Sequence, residues 1–425
     1  MMARNSNNRR RYQRGRRKNK GFKTWSFRKK LITIFSCLIV LLLSSGIVYA
    51  ANKYQKIEKQ EVSAKELDIS KDVVHEKGYL NVALFGLDSR DGTLGEGNLS
   101  DTIMIASLNQ ETGEVRLVSV FRDTLLELKD GSLNKANSAY AFGGPEDGIA
   151  LINKNMDLNI DKYVAVNFNA LVDIIDALGG VEIELTLEEI GHLNNYSVET
   201  SEVTGVSYTA LPPEAGTYNL CGVQAVSYAR IRYTEGGDFK RAERQRLVLE
   251  LIAEKTRRAN IGTLNKIIDK VFPQVSTNFT LADILTYAKD ILHFKMGESM
   301  GFPSTNEFAM LSQVGSVVVP VTLESNVKEV HSFLFGDNGY LPSDTLKSVS
   351  ASVAARASGQ STESAYTDED EDFYVPYTDT TPTDNYYEQG NESMQAPVTD
   401  TPVQEETVPE QTTPEPVPEE PLQTE

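Results

Sequence analysis

The stretch Tyr228–Arg246 concentrates positive charge in a chain whose net charge is −18, because it holds five arginines and one lysine. The apolar residues of Leu247–Ile252 recur at helical spacing and predict a helix with one buried face. One turn earlier, the same face carries Arg241, Arg244 and Gln245. Since a buried arginine is costly unless an anion meets its guanidinium group, this pattern indicates an anion-binding cleft. The alternative is an exposed basic helix start held by i,i+4 ion pairs.

Two further arginines precede this helix. Arg230 and Arg232 lie two residues apart, so on an extended segment their side chains would point the same way. The helix is predicted to begin just after Gly236-Gly237-Asp238. A helix N-terminus offers unpaired N–H groups and the positive end of a dipole. Together these features predict a site for a phosphate-rich ligand.

Three earlier loops carry charge where predicted strands begin or end. The first strand runs into Gly86–Arg90, the second begins at Asp101, and the third ends before Arg122. Asp88 and Asp101 flank a short loop, and two carboxylates with phosphate oxygens and waters are a usual way to hold Mg²⁺. The alternatives are that each aspartate caps a turn, and that Arg122 forms a surface ion pair with Asp123.

Other common catalytic arrangements are missing from the sequence. It has no Gly-x-Ser-x-Gly motif, no P-loop and no histidine near these loops. Two cysteines cannot form a disulfide framework, and no His/Cys cluster has the spacing of a zinc site. What remains is phosphate chemistry in which arginines and a divalent ion position the reactants and stabilise charge.

The elements that must position these residues alternate between strands and helices from Tyr79 to about Thr322. The turn Asn109–Gly113 indicates a hairpin between the second and third strands, and hence antiparallel pairing. The pattern predicts a single α/β (α+β) domain, in which a mixed central β-sheet is flanked by helices. The polar stretch 186–220 is expected to be rich in loops. The predicted strands are 80–86, 102–108, 114–121, 163–168, 181–185 and 316–321, and the predicted helices are 145–157, 171–178, 222–229, 240–259, 262–271, 281–293 and 323–335.

The N-terminal part of the chain predicts a single-pass membrane anchor. Residues 1–30 hold thirteen Lys or Arg and no Asp or Glu, and residues 31–51 contain no charge. At about 1.5 Å per residue, this apolar run reaches about 31 Å, enough to cross a bilayer core. The basic leader then lies in the cytoplasm and the rest of the chain outside the cell membrane. The alternative is a cleaved signal peptide, since Val48–Ala50 has small residues at the spacing of a cleavage site.

The remaining segments differ in composition. Residues 52–78 are polar and charged, and are expected to be a stalk before a globular domain at 79–335. Residues 357–425 form an acidic, Pro/Thr-rich tail that cannot bury enough apolar surface to fold, so disorder is expected. The acidic balance and the lack of a helix-turn-helix pattern argue against nucleic acid as a partner. Attraction to anionic lipid head groups is the simpler account of the basic leader.

Six motifs, in order along the chain, resemble those of the LytR-CpsA-Psr family, although each of them alone is weak. The resemblance covers residues 79–260 and extends to about 335. One departure is Phe121, which stands where the family more often has proline. The six motifs are Asn81–Arg90, Ser100–Thr102, Ser119–Thr124, Lys135–Gly144, Asp176–Val181 and Tyr228–Arg246.

The resemblance implies a Mg²⁺-dependent phosphotransferase of the Gram-positive envelope. Members of this family transfer an undecaprenyl-pyrophosphate-linked glycopolymer, such as teichoic acid, capsule or a related polysaccharide, onto the muramic acid 6-hydroxyl of peptidoglycan. By motif, Asp88 and Asp101 would hold the metal ion, and Asp238 would orient the arginines. The residues implied at the pyrophosphate are Arg90, Arg122, Arg230, Arg232, Arg241 and Gln245. The residues implied in catalysis are Asp88, Asp101, Arg122, Arg230 and Arg232.

The resemblance also implies an apolar tunnel for the lipid between the sheet and the helices. For any one of its candidate lining residues, ordinary core packing is the favoured role. These candidates are Leu171, Ile174, Ile175, Val248 and Ile252. Two other functions stay open. The same site would hydrolyse a polyprenyl pyrophosphate if water attacked, or the chain would be a regulatory membrane protein that senses the state of the envelope.

Overall fold

A computed structural model describes residues 48–71, 76–89, 92–290, 293–336 and 339–359. The predicted basic leader, residues 31–47 of the predicted span, Arg90 and the acidic tail beyond residue 359 lie outside these ranges. Within the described ranges, no helix combines the length and the apolar character needed to cross a membrane.

Strands and helices alternate along most of the described chain. The strands are β1 Tyr79–Leu87, β2 Ser100–Asn109, β3 Glu114–Val120, β4 Leu125–Glu127, β5 Leu133–Lys135, β6 Lys162–Asn167, β7 Val181–Leu185, β8 Gly216–Leu220, β9 Val275–Thr277, β10 Lys295–Phe302, β11 Asn306–Leu311 and β12 Gly315–Pro320. The helices are α1 Ser138–Met156, α2 Phe168–Ala177, α3 Leu187–Thr204, α4 Gly222–Arg230, α5 Gly237–Arg258, α6 Ile261–Val271, α7 Leu281–Ala288, α8 Leu323–Phe335 and α9 Asp344–Ser358.

The central sheet is mixed, as the sequence predicts, with the strand order β10-β3-β2-β1-β6-β9. Strand β2 runs antiparallel to both β1 and β3, which confirms the predicted hairpin. Strand β1 pairs with β6 in parallel, and β3 pairs with β10 in parallel. Consequently β1, β3, β6 and β10 end, and β2 begins, at one edge of the sheet.

The two faces of the sheet are covered differently. Ala83, Phe85 and Leu87 of β1 point into a core that is shared with α1, α8 and α9. A second core joins the helices α2 to α5 with the hairpin β7–β8. Because side chains alternate along a strand, the residues between those of the first face point toward the opposite face.

This opposite face is apolar and remains partly open. Leu84 of β1, Ala106 of β2, and Val164 and Val166 of β6 are only half-buried, although these strands lie in the middle of the sheet. Their sequence neighbours on the first face are buried. The sheet therefore leaves an apolar surface that the second core does not cover completely.

The stretch expected to be rich in loops contains helix α3, and this expectation was wrong for its first half. The Thr186 side chain accepts a hydrogen bond from the N–H of Glu189, and the Glu189 carboxylate accepts one from the N–H of Thr186. Such a capping box is a strong helix start. Ile190 and Leu193 anchor the helix in the second core, while most of its other residues are polar. The hydropathy pattern did not predict this helix because two of its four buried residues, Ser197 and Thr200, are polar.

Residues on both sides of the expected range 79–335 join the domain. Ile57 and Leu67, from the segment expected to be a stalk, are 6% and 1% exposed. Leu346 and Val349 of α9 are buried in the first core. The composition of these segments is polar on average, so their few buried residues did not reveal the packing.

Candidate active site

A β-bulge sets the position of Asp101 at the sheet edge where β1 and β3 end. Gly86 pairs with Thr102, but the next residue, Leu87, pairs with Ser100, so Asp101 is the extra residue. Bulges re-aim a side chain and are frequent beside active sites. A Cβ on Gly86 would lie 2.9 Å from the Cβ of Thr102, so glycine is needed for this close pairing.

Asp88 lies next to the same strand start. Its N–H donates to the carbonyl of Leu99 at 3.1 Å. The two aspartates expected to share an ion, Asp88 and Asp101, are therefore carried on adjacent strand ends. Arg90, expected at the pyrophosphate, is outside the described residues.

Arg122 follows β3 and lies between two carboxylates. Its Nη1 donates to Asp101 at 2.6 Å, and its Nε lies 3.5 Å from Asp123. The pairing with Asp123 is present, but the Arg122 side chain is only 15% exposed, so it is not a surface ion pair. Burial lowers the pKa of Arg122, yet the charges of Asp101, Asp123 and Asp238 outweigh burial and raise the pKa overall. The guanidinium group is therefore charged at all physiological pH values.

Asp238, in the first turn of α5, holds two more arginines of the site. The Nε of Arg232 donates to Asp238 at 3.0 Å, and the Nη1 of Arg241 lies 3.4 Å from the same carboxylate. Burial alone would raise the pKa of Asp238, but the guanidinium groups of Arg241 and Arg232 hold it below the ordinary value. In this geometry, one ionised carboxylate fixes the orientation of both arginines.

Asp123 lies close to side chains from the loop after β3, from the end of β5 and from the segment before α5. Its carboxylate lies 3.1 Å from the Nζ of Lys135, at the end of β5, and 4.0 Å from the Nη2 of Arg232. The sequence pointed to Asp123 only as a surface partner of Arg122. Its position next to Arg122 in a loop at a strand end was the signal that it belonged to the site.

The arginine cluster, comprising Arg122, Arg232 and Arg241, contains donors that lack acceptors. The Nε atoms of Arg122 and Arg241 are buried, and neither has a hydrogen-bond partner in the part of the chain that the structure describes. Burial also lowers the pKa of Arg241. A buried donor without an acceptor costs about 1–3 kcal/mol. The cluster is therefore suited to receive an anion.

Arg230 and Arg232 do not point the same way, because Arg230 ends helix α4 and is not in an extended segment. Arg230 donates to Glu199 at 2.8 Å and to Thr200 at 3.0 Å, both on α3. Its guanidinium group also lies 4.9 Å from the centre of the Phe168 ring. Arg230 therefore joins α3 to the site, whereas Arg232 joins Asp238.

Tyr196 of α3 is a site residue that the sequence did not reveal. Its ring centre lies 5.5 Å from the guanidinium group of Arg230. Burial raises the pKa of its hydroxyl, and the charges of Arg232, Arg230 and Arg241 partly oppose this shift. The helical spacing of Tyr196, Glu199 and Thr200 was the available signal, but it lay in a stretch expected to be loops.

Arg244 and Gln245 are the other two residues that the sequence places on the buried face of α5. Arg244 is 3% exposed and lies 3.0 Å from Glu189 of α3. It also donates to the carbonyl of Ile231 and to the hydroxyl of Thr234. Arg244 thus pairs within the protein, and it fixes the start of α5 against α3. Gln245 is half-buried on the same helix.

Replacing Asp238 by asparagine is expected to lower the free energy of unfolding at pH 7 by about 1.5–3 kcal/mol, the range for hydrogen bonds to charged groups. The folded-state pKa of Asp238 is depressed, so this stabilisation is complete above about pH 4 and is lost as the pH falls through the folded value. Urea unfolding of both proteins at pH 7 and at about pH 2.5 checks this. Asp344→Asn, an exposed carboxylate paired with Lys347, is the control. An Asp238→Asn deficit that is equal at both pH values would contradict the assignment to charge.

Comparisons with known proteins agree with this geometry. A model of the LytR_cpsA_psr family matches residues 40–314. The polyisoprenyl-teichoic acid–peptidoglycan teichoic acid transferase TagU of Bacillus subtilis is 30% identical over 291 residues, covering 64% of this chain and 86% of that protein. TagU of Enterococcus faecalis is 29% identical, covering 62% and 83%. Among solved structures, protein gbs0355 of Streptococcus agalactiae has a TM-score of 0.52 and 26% identity, covering 63% of this chain and 90% of that one.

Proposed function

Because the chain belongs to the LytR_cpsA_psr family, we propose that it transfers an undecaprenyl-pyrophosphate-linked glycopolymer onto the muramic acid 6-hydroxyl of peptidoglycan. The observation that carries the proposal is the pair of buried Nε donors on Arg122 and Arg241 that form no hydrogen bond with the described residues. The TagU relatives are named as teichoic acid transferases, so teichoic acid is a donor of the right class. Two adjacent phosphates could accept hydrogen bonds from both arginines, one of which follows strand β3 while the other lies near the start of helix α5.

The half-buried face of the sheet supports a lipid-linked donor. Leu84, Ala106 and Val166 lie on the strands that lead to the arginine cluster. A polyprenyl chain along this face would keep its pyrophosphate at the sheet edge. The residues first expected to line the tunnel pack instead within or against the second core, so the sheet face is the better candidate for the lining.

The reaction needs little covalent help from the protein. The acceptor hydroxyl oxygen attacks the phosphorus that carries the glycopolymer, and the bond from this phosphorus to the bridging oxygen breaks. The lipid leaves as undecaprenyl phosphate and takes up the hydroxyl proton. Arg122, Arg232 and Arg241 hold the phosphate oxygens and stabilise the charge that develops on the leaving group.

The residues present fit a Mg²⁺ ion that takes most of its ligands from water and substrate. The carboxylate candidates, Asp88 and Asp101, sit on adjacent strand ends, and Asp101 is oriented by Arg122. No cluster of three or more His, Cys, Asp or Glu side chains suited to a metal occurs in the described ranges. Mg²⁺ is usually held by one or two carboxylates with phosphates. When bound, the ion would neutralise phosphate charge.

The proposal includes a membrane location. The uncharged run 31–51, preceded by the basic leader, supports a single-pass anchor with a cytoplasmic N-terminus and an extracellular catalytic domain. This arrangement would hold the arginine cluster near the bilayer that carries its donor.

The purified full chain is expected to join a synthetic undecaprenyl-pyrophosphate saccharide to uncrosslinked peptidoglycan oligomers. Mass spectrometry should find a saccharide phosphodiester on the oligomer and an equal amount of undecaprenyl phosphate. EDTA should stop turnover, and added Mg²⁺ should restore it. Release of undecaprenyl phosphate without labelled oligomer would identify a hydrolase instead, and turnover that resists EDTA would remove the metal from the proposal.

A further inference from the structure

A cleft opens beside the arginine cluster. Its volume is about 390 Å³, within the range of about 300–1,000 Å³ that is usual for small-ligand sites. Phe121 and Phe239 line it, and these residues are the chain neighbours of Arg122 and Asp238. The cleft is therefore next to the proposed pyrophosphate site.

Arg246 of α5 lines this cleft with its guanidinium group. The Arg246 side chain is half-buried. Its Nη1 is buried and finds no hydrogen-bond partner among the residues the structure describes. Burial lowers the pKa of Arg246, and Glu243 only partly opposes this shift. An anionic group that entered the cleft would satisfy the free donor.

The other walls combine aromatic and polar groups. Phe121 and Phe239 meet edge to face with their ring centres 4.5 Å apart. The ring of Phe121 fits over β10 because residue 301 is glycine, since a Cβ there would lie 2.4 Å from the ring. Asn306 adds an amide to the wall. Apolar rings beside hydroxyl, amide and carboxylate groups are the chemistry that recognises a sugar, which has both C–H faces and hydroxyl edges.

The polar rim of the cleft is held in place by hydrogen bonds. The Ser304 hydroxyl contacts the carboxylate of Glu329 and lies 3.0 Å from the side-chain oxygen of Asn326. Asn326 is 1% exposed, and it also binds the backbone of Thr305. The rim is therefore pre-organised, which reduces the entropy lost when a ligand binds.

We propose that this cleft binds the acceptor of the transfer reaction, an acetylated aminosugar strand whose carboxylate pairs with Arg246. The inference rests on the proposed function, because it takes peptidoglycan as the acceptor. A hydroxyl must come within about 3–3.5 Å of phosphorus to attack. Phe121 and Phe239 line the cleft and are bonded to Arg122 and Asp238, so a sugar bound there would lie beside the arginine cluster, with its primary hydroxyl directed toward the phosphate.

Binding of a defined probe tests the cleft without any turnover. The probe is an oligomer of N-acetylglucosamine and N-acetylmuramic acid with a free carboxylate, and its matched analogue has that carboxylate converted to a carboxamide. Calorimetry on the full chain should give an affinity about tenfold higher for the acid than for the amide. This is the difference in affinity expected from one charge-assisted hydrogen bond. Arg246→Met should remove this preference, whereas Arg356→Met, at a guanidinium bonded to the carbonyl of Ser312, should retain it.

The ratio of the two affinities does not depend on the fraction of folded protein. Ser304→Tyr, which fills the cleft from an exposed position, should weaken both probes equally. If Arg246→Met keeps the wild-type preference, or if wild-type protein has none, the subsite is overturned even when transfer occurs. If the preference is present and Arg246-dependent but the transfer assay yields no labelled peptidoglycan, the cleft is retained and the proposed function fails.

Discussion

Replacing Arg122 by alanine is expected to lower turnover by about 10²–10³-fold, the usual loss when one pre-organised donor to developing charge is removed. Arg122 is held between Asp101 and Asp123, and its buried Nε, 3.5 Å from Asp123, forms no hydrogen bond with a described residue and can donate to a ligand. Arg122→Lys should also lose activity, because an ammonium group keeps the charge but not the planar fork of donors. The measurement is the rate of undecaprenyl phosphate release under saturating donor.

The matched control for this prediction is Arg116→Ala. Arg116 lies on β3, the strand that Arg122 follows, and also has a buried Nε without a hydrogen-bond partner among the described residues, but its Nη1 donates to the carbonyl of Phe333. The control therefore removes a comparable guanidinium group away from the arginine cluster. Wild-type turnover in Arg122→Ala, or an equal loss in both variants at equal melting temperature, would refute the role of Arg122.

Replacing Arg244 by methionine is expected to lower the free energy of unfolding by about 3–5 kcal/mol, the cost of breaking a buried ion pair from one side. Arg244 and Glu189 are 3% and 12% exposed, so the remaining carboxylate would have little access to water. The substitution should also disturb the candidate active site, because α5, which Arg244 holds against α3, carries both Asp238 and Arg241. Denaturant unfolding followed by circular dichroism measures the change.

A double variant separates charge from packing in this pair. Glu189→Gln removes the charge but keeps the capping box, in which glutamine serves as well as glutamate. Combined with Arg244→Met, it should therefore recover part of the lost stability. Arg258→Met, at an exposed pair with Glu254 on the same helix, should cost no more than about 1 kcal/mol. A loss of that small size in Arg244→Met would contradict the structural role of the buried pair.

Some expectations held because they depend on local spacing. The apolar run of β1, the turn between β2 and β3, and the apolar face of α5 each depend on residues that are close together in the sequence. The sequence alone therefore predicted the hairpin and, with the order of strands and helices, the mixed sheet. The helix α3 was not predicted because only two of its four buried residues, Ile190 and Leu193, are apolar. Its capping box depends on the Glu189 side chain accepting a hydrogen bond from the N–H of Thr186, a contact that forms only in the folded helix.

By itself, the sequence determined the family, the alternation of strands and helices, and the presence of buried arginines at the start of α5. Only the tertiary structure decided their partners. Arg241 meets Asp238 at one end and leaves Nε for a ligand, Arg244 pairs with Glu189, and Arg246 faces a separate cleft. The physical reason is that helical periodicity fixes which face a residue occupies, whereas the carboxylate it meets comes from strands and helices far away in the chain. Their approach is set by sheet pairing, the bulge at Asp101 and the docking of α3.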